Sequence, residues 1–249
     1  TEQGATLLGG DAEAKFTYRF ATAEERAWLA GNALAISEVT DFRSMAHVKG
    51  PDGPEQALTQ VKSVDDAYPL TGSVTLSNGV ALNRALGDQD GTPGGVMQRV
   101  LAERLDLKIG DRFRLGQQDF VLSALLNVEP DRASDGYGMG PRTLVHTNAL
   151  KASGLLSPGT IFSTKYRLLL EPDKDLERLK IAAEDRFSNS GMRWRDARNG
   201  APGIARFIDR LGVFLVLVGL AGLAVGGVGV SAAVKTYLDS KISVIATLR

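Results

Sequence analysis

No cysteine occurs among the 249 residues, so neither a disulfide framework nor a thiolate nucleophile can be built, and redox chemistry gives no reading of the compartment. Histidine is nearly absent as well. His47 and His146 are the only two, each alone in a strand-like run without an acidic cluster at ligand spacing, which leaves no pattern for a metal centre or a nucleophilic triad. Charge of one sign is missing too: 29 Lys plus Arg stand against 29 Asp plus Glu, and nucleic acid is set aside as a partner because its backbone demands a strongly basic face. Neither a G-x-S-x-G elbow nor a G-x-x-x-x-G-K-[ST] loop is present, so hydrolase and nucleotide-hydrolysis signatures are both lacking. No catalytic, cofactor-binding or metal-ligating residue is therefore expected.

One long apolar run is present. Leu211 to Val234 holds 24 consecutive residues without a charge, closed by Lys235. A helix rises about 1.5 Å per residue and a bilayer's hydrocarbon core is about 30 Å thick, so about 20 such residues span it. Within the run, Gly219, Gly222, Gly226 and Gly229 supply the small residues that let a second helix approach closely where lipid removes the hydrophobic incentive. Gly227-x-Gly229-x-x-Ala232 has the outline of a dinucleotide fingerprint, but too little chain follows to complete a βαβ unit. Ahead of the run, Ile204, Phe207, Ile208 and Leu211 form an amphipathic lead-in, and Tyr237, Leu238, Ile242, Ile245 and Leu248 continue at helical spacing behind it. That tail predicts an interfacial segment. The first residues, TEQGATLLGG, carry neither Met nor a charged signal region, and the last residues stop in mid-pattern. A piece of a longer protein is expected.

The remainder patterns as short, mixed elements. Phe16, Tyr18 and Phe20 alternate with polar residues as a strand, and Thr22 with Glu25 makes a capping box opening a helix to about Ala30. Extended runs follow at Ala35–Val39, Ser44–Val48 and Ala57–Val64, with Gly50–Gly53 as a hairpin turn between the last two, and at Ser73–Leu76. Gly91–Gly95 reads as a break before a helix whose face carries Val96, Val100, Leu101 and Leu105. Turns at Gly110-Asp111 and Gly116-Gln117 suggest a small β-unit, and Asp131–Pro141 a loop. Then come a strand at Thr143–His146, a short helix at Asn148–Ser153 and a strand at Tyr166–Leu170. A helix with Leu176, Leu179, Ala183 and Phe187 on one face lies behind an Asp173 or Asp175 cap, before a strand at Met192–Arg195. Three arginines around Trp194 (Met192 to Arg198) combine the chemistry of phosphate or headgroup binding with that of a solvated edge strand. Asp65 and Asp66 point to opposite faces if extended and read as turn residues. The class is α+β.

The phrase Leu101 to Leu115, LAERLDLKIGDRFRL, and the strand Phe120 to Leu125 resemble the extracytoplasmic domain of MacB/FtsX-like ABC transporter permeases. The Gly-rich helix with Lys241 to Arg249 resembles that family's membrane helix and the cytoplasmic phrase behind it, though Val244 stands where the family phrase is acidic. Val61 to Leu70 and Gly140 to Val145 resemble a YbbP-like subgroup. The resemblance implies a MacB-like periplasmic domain over 1–203, with 95–141 as a small β-rich subdomain, a stalk and transmembrane helix over 204–234, and the start of a coupling segment over 235–249. It further implies an inner-membrane location, a second permease subunit against the Gly face, and a separate cytoplasmic ATPase that binds ATP and meets Lys241, Ile242, Ile245, Leu248 and Arg249. Membrane lipid, a periplasmic partner and a lipophilic or membrane-derived cargo complete that expectation. Composition alone also fits a single-span sensor or adaptor. The Arg193, Arg195, Arg198, Arg206 and Arg210 series before the run, against Lys235, Lys241 and Arg249 after it, runs counter to the positive-inside rule for an outer domain, a rule that is weak for long domains.

Overall fold

The computed structural model describes residues 2–50, 53–131, 140–151, 153–156, 159–197 and 202–246, and divides the chain into Thr1–Ala201 and Pro202–Arg249. The first unit runs α1 (Glu2–Leu8), β1 (Ala12–Thr17), α2 (Ala23–Gly31), β2 (Ala35–Gly50), β3 (Gly53–Val64), β4 (Thr75–Leu76), α3 (Leu82–Leu86), β5 (Asp88–Gln89), β6 (Thr92–Gln98), α4 (Arg99–Arg104), β7 (Arg112–Leu115), β8 (Gln118–Val128), β9 (Arg142–His146), α5 (Thr147–Leu150), β10 (Phe162–Leu169), α6 (Leu176–Arg186) and β11 (Arg193–Asp196). The second unit is α7 (Pro202–Ala246).

The strands form one mixed sheet in the order β11-β1-β10-β2-β3-β9-β6-β8-β4, with β5 on β6 and β7 bridging β2 and β8. Period-2 alternation sends successive side chains to opposite faces. On one face Phe42, Val61, Met97, Phe120, Leu122 and Val145 pack with Leu101 and Leu105 and with Leu150 of α5. Further along that face Ala14, Phe16, Tyr166 and Leu168 bury Leu29 of α2 and Leu179 of α6. Val39, Val64, Val96, Ala124 and Leu144 point the other way, onto α3. Each such fully buried aliphatic contributes about 1.5–3 kcal/mol.

Several boundaries differ from the sequence expectation. The two runs at 35–39 and 44–48 are one 16-residue strand, pairing antiparallel with β3 from Val39 opposite Val64 to Gly50 opposite Gly53, while the two central residues of the anticipated turn lie outside the described residues. The first strand ends at Thr17, because Tyr18 adopts φ +62°. Gly91–Gly95 does not break the chain: β6 passes through Gly94 and Gly95, and Val96 lies in the strand rather than on the helix. A side chain has no room there, since a Cβ on Gly94 would lie 2.0 Å from the Ala85 carbonyl oxygen and one on Gly95 2.6 Å from Phe113. Those glycines permit close packing and their turn-like composition misleads. The stretch 95–141, anticipated as a small β-rich subdomain, contributes β6, β7 and β8 to the common sheet. Most of the 131–141 loop and Arg198 lie outside the described residues.

The capping box forms as read. Thr22 Oγ1 accepts from the Glu25 N–H and Glu25 accepts from the Thr22 N–H. Arg19 grips the same carboxylate with two hydrogen bonds of 2.7 Å. That guanidinium, with the Thr22 N–H assisting and burial opposing, holds the Glu25 carboxyl at about 2. A depressed carboxylate stabilises the fold fully above its ordinary value near 4.5, and this contribution is lost as pH falls through about 2. Glu25→Gln is expected to cost about 2–3 kcal/mol at neutral pH and nothing below pH 2. Thermal melts at pH 7, 4 and 2.5 check this; a penalty that persists unchanged at pH 2.5 would contradict it.

Candidate functional site

Strands built from charged rather than apolar residues mark one region of the α3-facing side. Glu13 on β1, Asp41 on β2, Lys62 on β3, Arg142 on β9, and Lys165 and Arg167 on β10 are all at most 8% exposed. Register places Glu13 opposite Arg167 and Asp41 opposite Lys62. Tyr68, Glu129 and Asp131 from two connecting segments close over them, each also buried.

Lys62 uses its three donors on three acceptors: Glu129 Oε1 at 2.5 Å, Asp131 Oδ2 at 2.6 Å and Tyr68 Oη at 3.2 Å. Tyr68 in turn donates to Asp131 Oδ1 at 2.7 Å. Arg167 Nη1 pairs with Asp131, and its Nε lies 3.7 Å from Glu13. Arg142 bridges Glu129 at 3.3 Å and Asp41 at 3.4 Å, and Lys165 reaches Asp41 at 2.9 Å. Four cations thus meet four carboxylates, which balances the charge that burial would otherwise forbid. Burial first, then the Asp131 and Glu129 carboxylates, pushes the Tyr68 hydroxyl far above its ordinary range, so it stays a proton donor. Among the described residues the network is buried and its charges are equal in number. Its chemistry is clamping, with cations and carboxylates from β1, β2, β3, β9 and β10 held against one another.

An open groove of about 510 Å³ lies nearby, lined by Asp66, Asn83, Asp88, Gln118, His146 and Asn148 among others. His146 Nδ1 accepts from the Asn148 N–H and so caps α5, while Nε2 lies 3.2 Å from Asp66 Oδ1. The proton is thereby assigned to Nε2. This is the partly exposed, hydrogen-bonded strand histidine that its sequence context suggests. Among the described residues the lining contains no Ser, Thr, Cys or Lys beside that imidazole. Among the described residues no group of three or more His, Asp or Glu is placed to hold a metal ion. Asp65 ties the end of β3 to β2, accepting from Ser37 Oγ and the Glu38 N–H, rather than serving only the turn that its sequence context suggests.

In the second unit, α7 is one 45-residue helix. Phe214–Tyr237, 24 residues with mean hydropathy 2.2 and none buried, is long and apolar enough to cross a membrane. At about 1.5 Å per residue the segment is about 36 Å long. Gly219, Gly222, Gly226 and Gly229 recur at steps of three and four, which keeps them on one stripe. A Cβ on any of them would meet nothing within 4 Å. Lys241, Ile242 and Ile245 continue the same helix without a break at Lys235. Leu248 and Arg249 lie outside the described residues.

No protein-family model matches the chain. Over its whole length it is 23% identical to the uncharacterized ABC transporter permease YbbP of Escherichia coli strain K12, of which it spans 29%. The crystal structure of the periplasmic region of MacB from Actinobacillus actinomycetemcomitans superposes with a TM-score of 0.51 at 9% identity, over 81% of this chain and 94% of that one. The chain is thus similar in sequence to an ABC transporter permease and in fold to a MacB periplasmic region. Its first unit has the MacB-like periplasmic fold, an α+β sheet domain, and the apolar helix follows directly. The extracellular domain of the transporter YknZ from Gram-positive bacteria aligns with a TM-score of 0.48 at 14% identity, over 74% of this chain.

The buried ionic face is absent from the sequence reading. Lys62, Lys165 and Arg167 sit within strands of mixed composition and Arg142 opens β9, where alternation assigns them to a solvated side. The hint available was that Lys165 and Arg167 share a parity with Glu13 and Asp41 only once strand order is known.

Proposed function

We propose that the chain is the part of a permease that couples ATP hydrolysis by a separate cytoplasmic ATPase to movement of the extracytoplasmic domain. The observation that carries this reading is the end-to-end match to a permease across a MacB-like domain and the membrane-length helix behind it. The protein resides in the inner membrane, with residues 1–203 extracytoplasmic, and the lipid surrounds α7. A continuous 45-residue helix suits transmission, because it carries displacement along its axis without a hinge. The Gly219, Gly222, Gly226 and Gly229 stripe is the contact for a second permease subunit. ATP binds to the partner ATPase, which meets the segment from Lys241 to Arg249. Export or extraction of a lipophilic or membrane-derived cargo, with a periplasmic partner, is the function this arrangement serves best.

Copurification tests the coupling. Ile245→Asp with Leu248→Asp, expressed in the full-length permease, is expected to lower recovery of the ATPase at least about ten-fold, the equivalent of about 1.4 kcal/mol. Recovery equal to wild type would overturn the assignment of that segment.

A further inference from the structure

At the β10, β1 and β11 margin of the ionic face the charge no longer balances. Register sets Arg193 opposite Lys15 and Lys15 opposite Lys165, so three cations stand side by side on three adjacent strands. The neighbouring row sets Arg195 opposite Glu13 and Glu13 opposite Arg167. Like charges directly opposite on neighbouring strands are destabilising, and this margin tolerates two such pairs in succession.

The local carboxylates are outnumbered. Asp41 is shared between Lys165 and Arg142, and Glu13 stands between Arg167, at 3.7 Å, and Arg195 across the register. Among the described residues, Lys15, Arg193 and Arg195 have neither an ion-pair nor a hydrogen-bond partner. Lys15 and Arg195 are half-buried and Arg193 is exposed, so the group is reachable from solvent yet partly withdrawn from it. Burial first, then Lys165 and, more weakly, Arg195, with Glu13 and Asp41 opposing, depress the Lys15 ammonium below its ordinary 10.5. One step along the same face, Thr17 opposes Ser163, adding two hydroxyl donors beside the cations. A guanidinium fork matches phosphate oxygens in pairs and an ammonium adds a point charge. Five cations (Lys15, Lys165, Arg167, Arg193 and Arg195) stand against Glu13 and Asp41 in these rows, and that spare positive charge with its free donors describes a receptor for an oxyanion.

We propose that Lys15, Arg193 and Arg195 form an anion site for a phosphoryl group, free or carried on a lipid headgroup. The site is distinct from the matched ionic network beside it and does not depend on the coupling assigned to α7.

Lysine acylation of the full chain in nanodiscs tests this, with Lys15 read by mass spectrometry and exposed Lys49 as internal reference. A Kd on the order of 1 mM predicts that about 10 mM inorganic phosphate slows Lys15 acylation about ten-fold, with ionic strength held by chloride and Lys49 unchanged. In phosphatidylcholine discs, protection by added phosphate assigns a free phosphoryl ligand. Protection that appears only in discs containing phosphatidylglycerol, without added phosphate, assigns a headgroup. Arg193→Gln with Arg195→Gln is expected to abolish the protection in either arm. Equal Lys15 acylation in all wild-type samples overturns the proposal, and that comparison stands even if the double variant does not fold.

Discussion

Lys62→Met is expected to destabilise the outer domain by about 3–5 kcal/mol, the usual cost of removing one partner from a buried ion pair. The ammonium at 0% exposure is the common donor to Glu129, Asp131 and Tyr68. Deleting it leaves the buried Glu129 and Asp131 carboxylates, whose remaining cations are Arg142 and Arg167, one positive charge short. For a domain of this size the loss corresponds to a melting-temperature drop of about 6–20 °C. The companion variant separates charge balance from packing. Lys62→Met combined with Asp131→Asn removes one cation and one anion together, leaving Arg142 and Lys165 with Asp41 and Glu129, and Arg167 with Glu13. It is expected to recover at least about 1 kcal/mol relative to the sum of the two single changes, within the usual range for contacting residues. Additive losses in thermal or chemical melts would show that the network is a set of independent contacts.

Replacing Gly222 and Gly226 together by Ile is expected to weaken association of two permease chains at least about ten-fold, about 1.4 kcal/mol. Both positions are open, with nothing within 4 Å of an added Cβ, so neither substitution disturbs a contact within the described chain. Helix interfaces in lipid depend on small residues that let backbones approach, and two β-branched side chains on that stripe hold them apart. Energy transfer between labelled chains in nanodiscs measures the effect. Ala224→Ile with Val228→Ile, exposed residues on the side of the helix away from the stripe, serves as the control for added bulk outside it. An unchanged transfer efficiency in the Gly222→Ile, Gly226→Ile protein would remove the stripe from the subunit contact.

Local signals were legible where they are self-contained. The Thr22–Glu25 box and the two-residue Gly116-Gln117 turn each need only a few neighbouring residues to form and appear where the sequence places them, and of the two caps offered, Asp173 or Asp175, it is Asp175 that opens α6. Gly94 and Gly95 misled because a glycine reads the same whether it bends a chain or admits a neighbour. The ionic face was hidden for a related reason. Lys62 and Asp41 are 21 positions apart, and Glu13 and Arg167 far further, yet register makes each pair direct neighbours.

Short-range chemistry along the chain was thus enough to establish an α+β domain, to exclude thiol chemistry, and to mark a helix of membrane length, because propensity, caps and an uncharged run act within a few turns of backbone. Only the folded sheet decided which charges are buried as partners and which, as at Lys15, Arg193 and Arg195, are left over. Strand order sets those distances, and a charge's cost or use depends on what stands within a few ångströms of it.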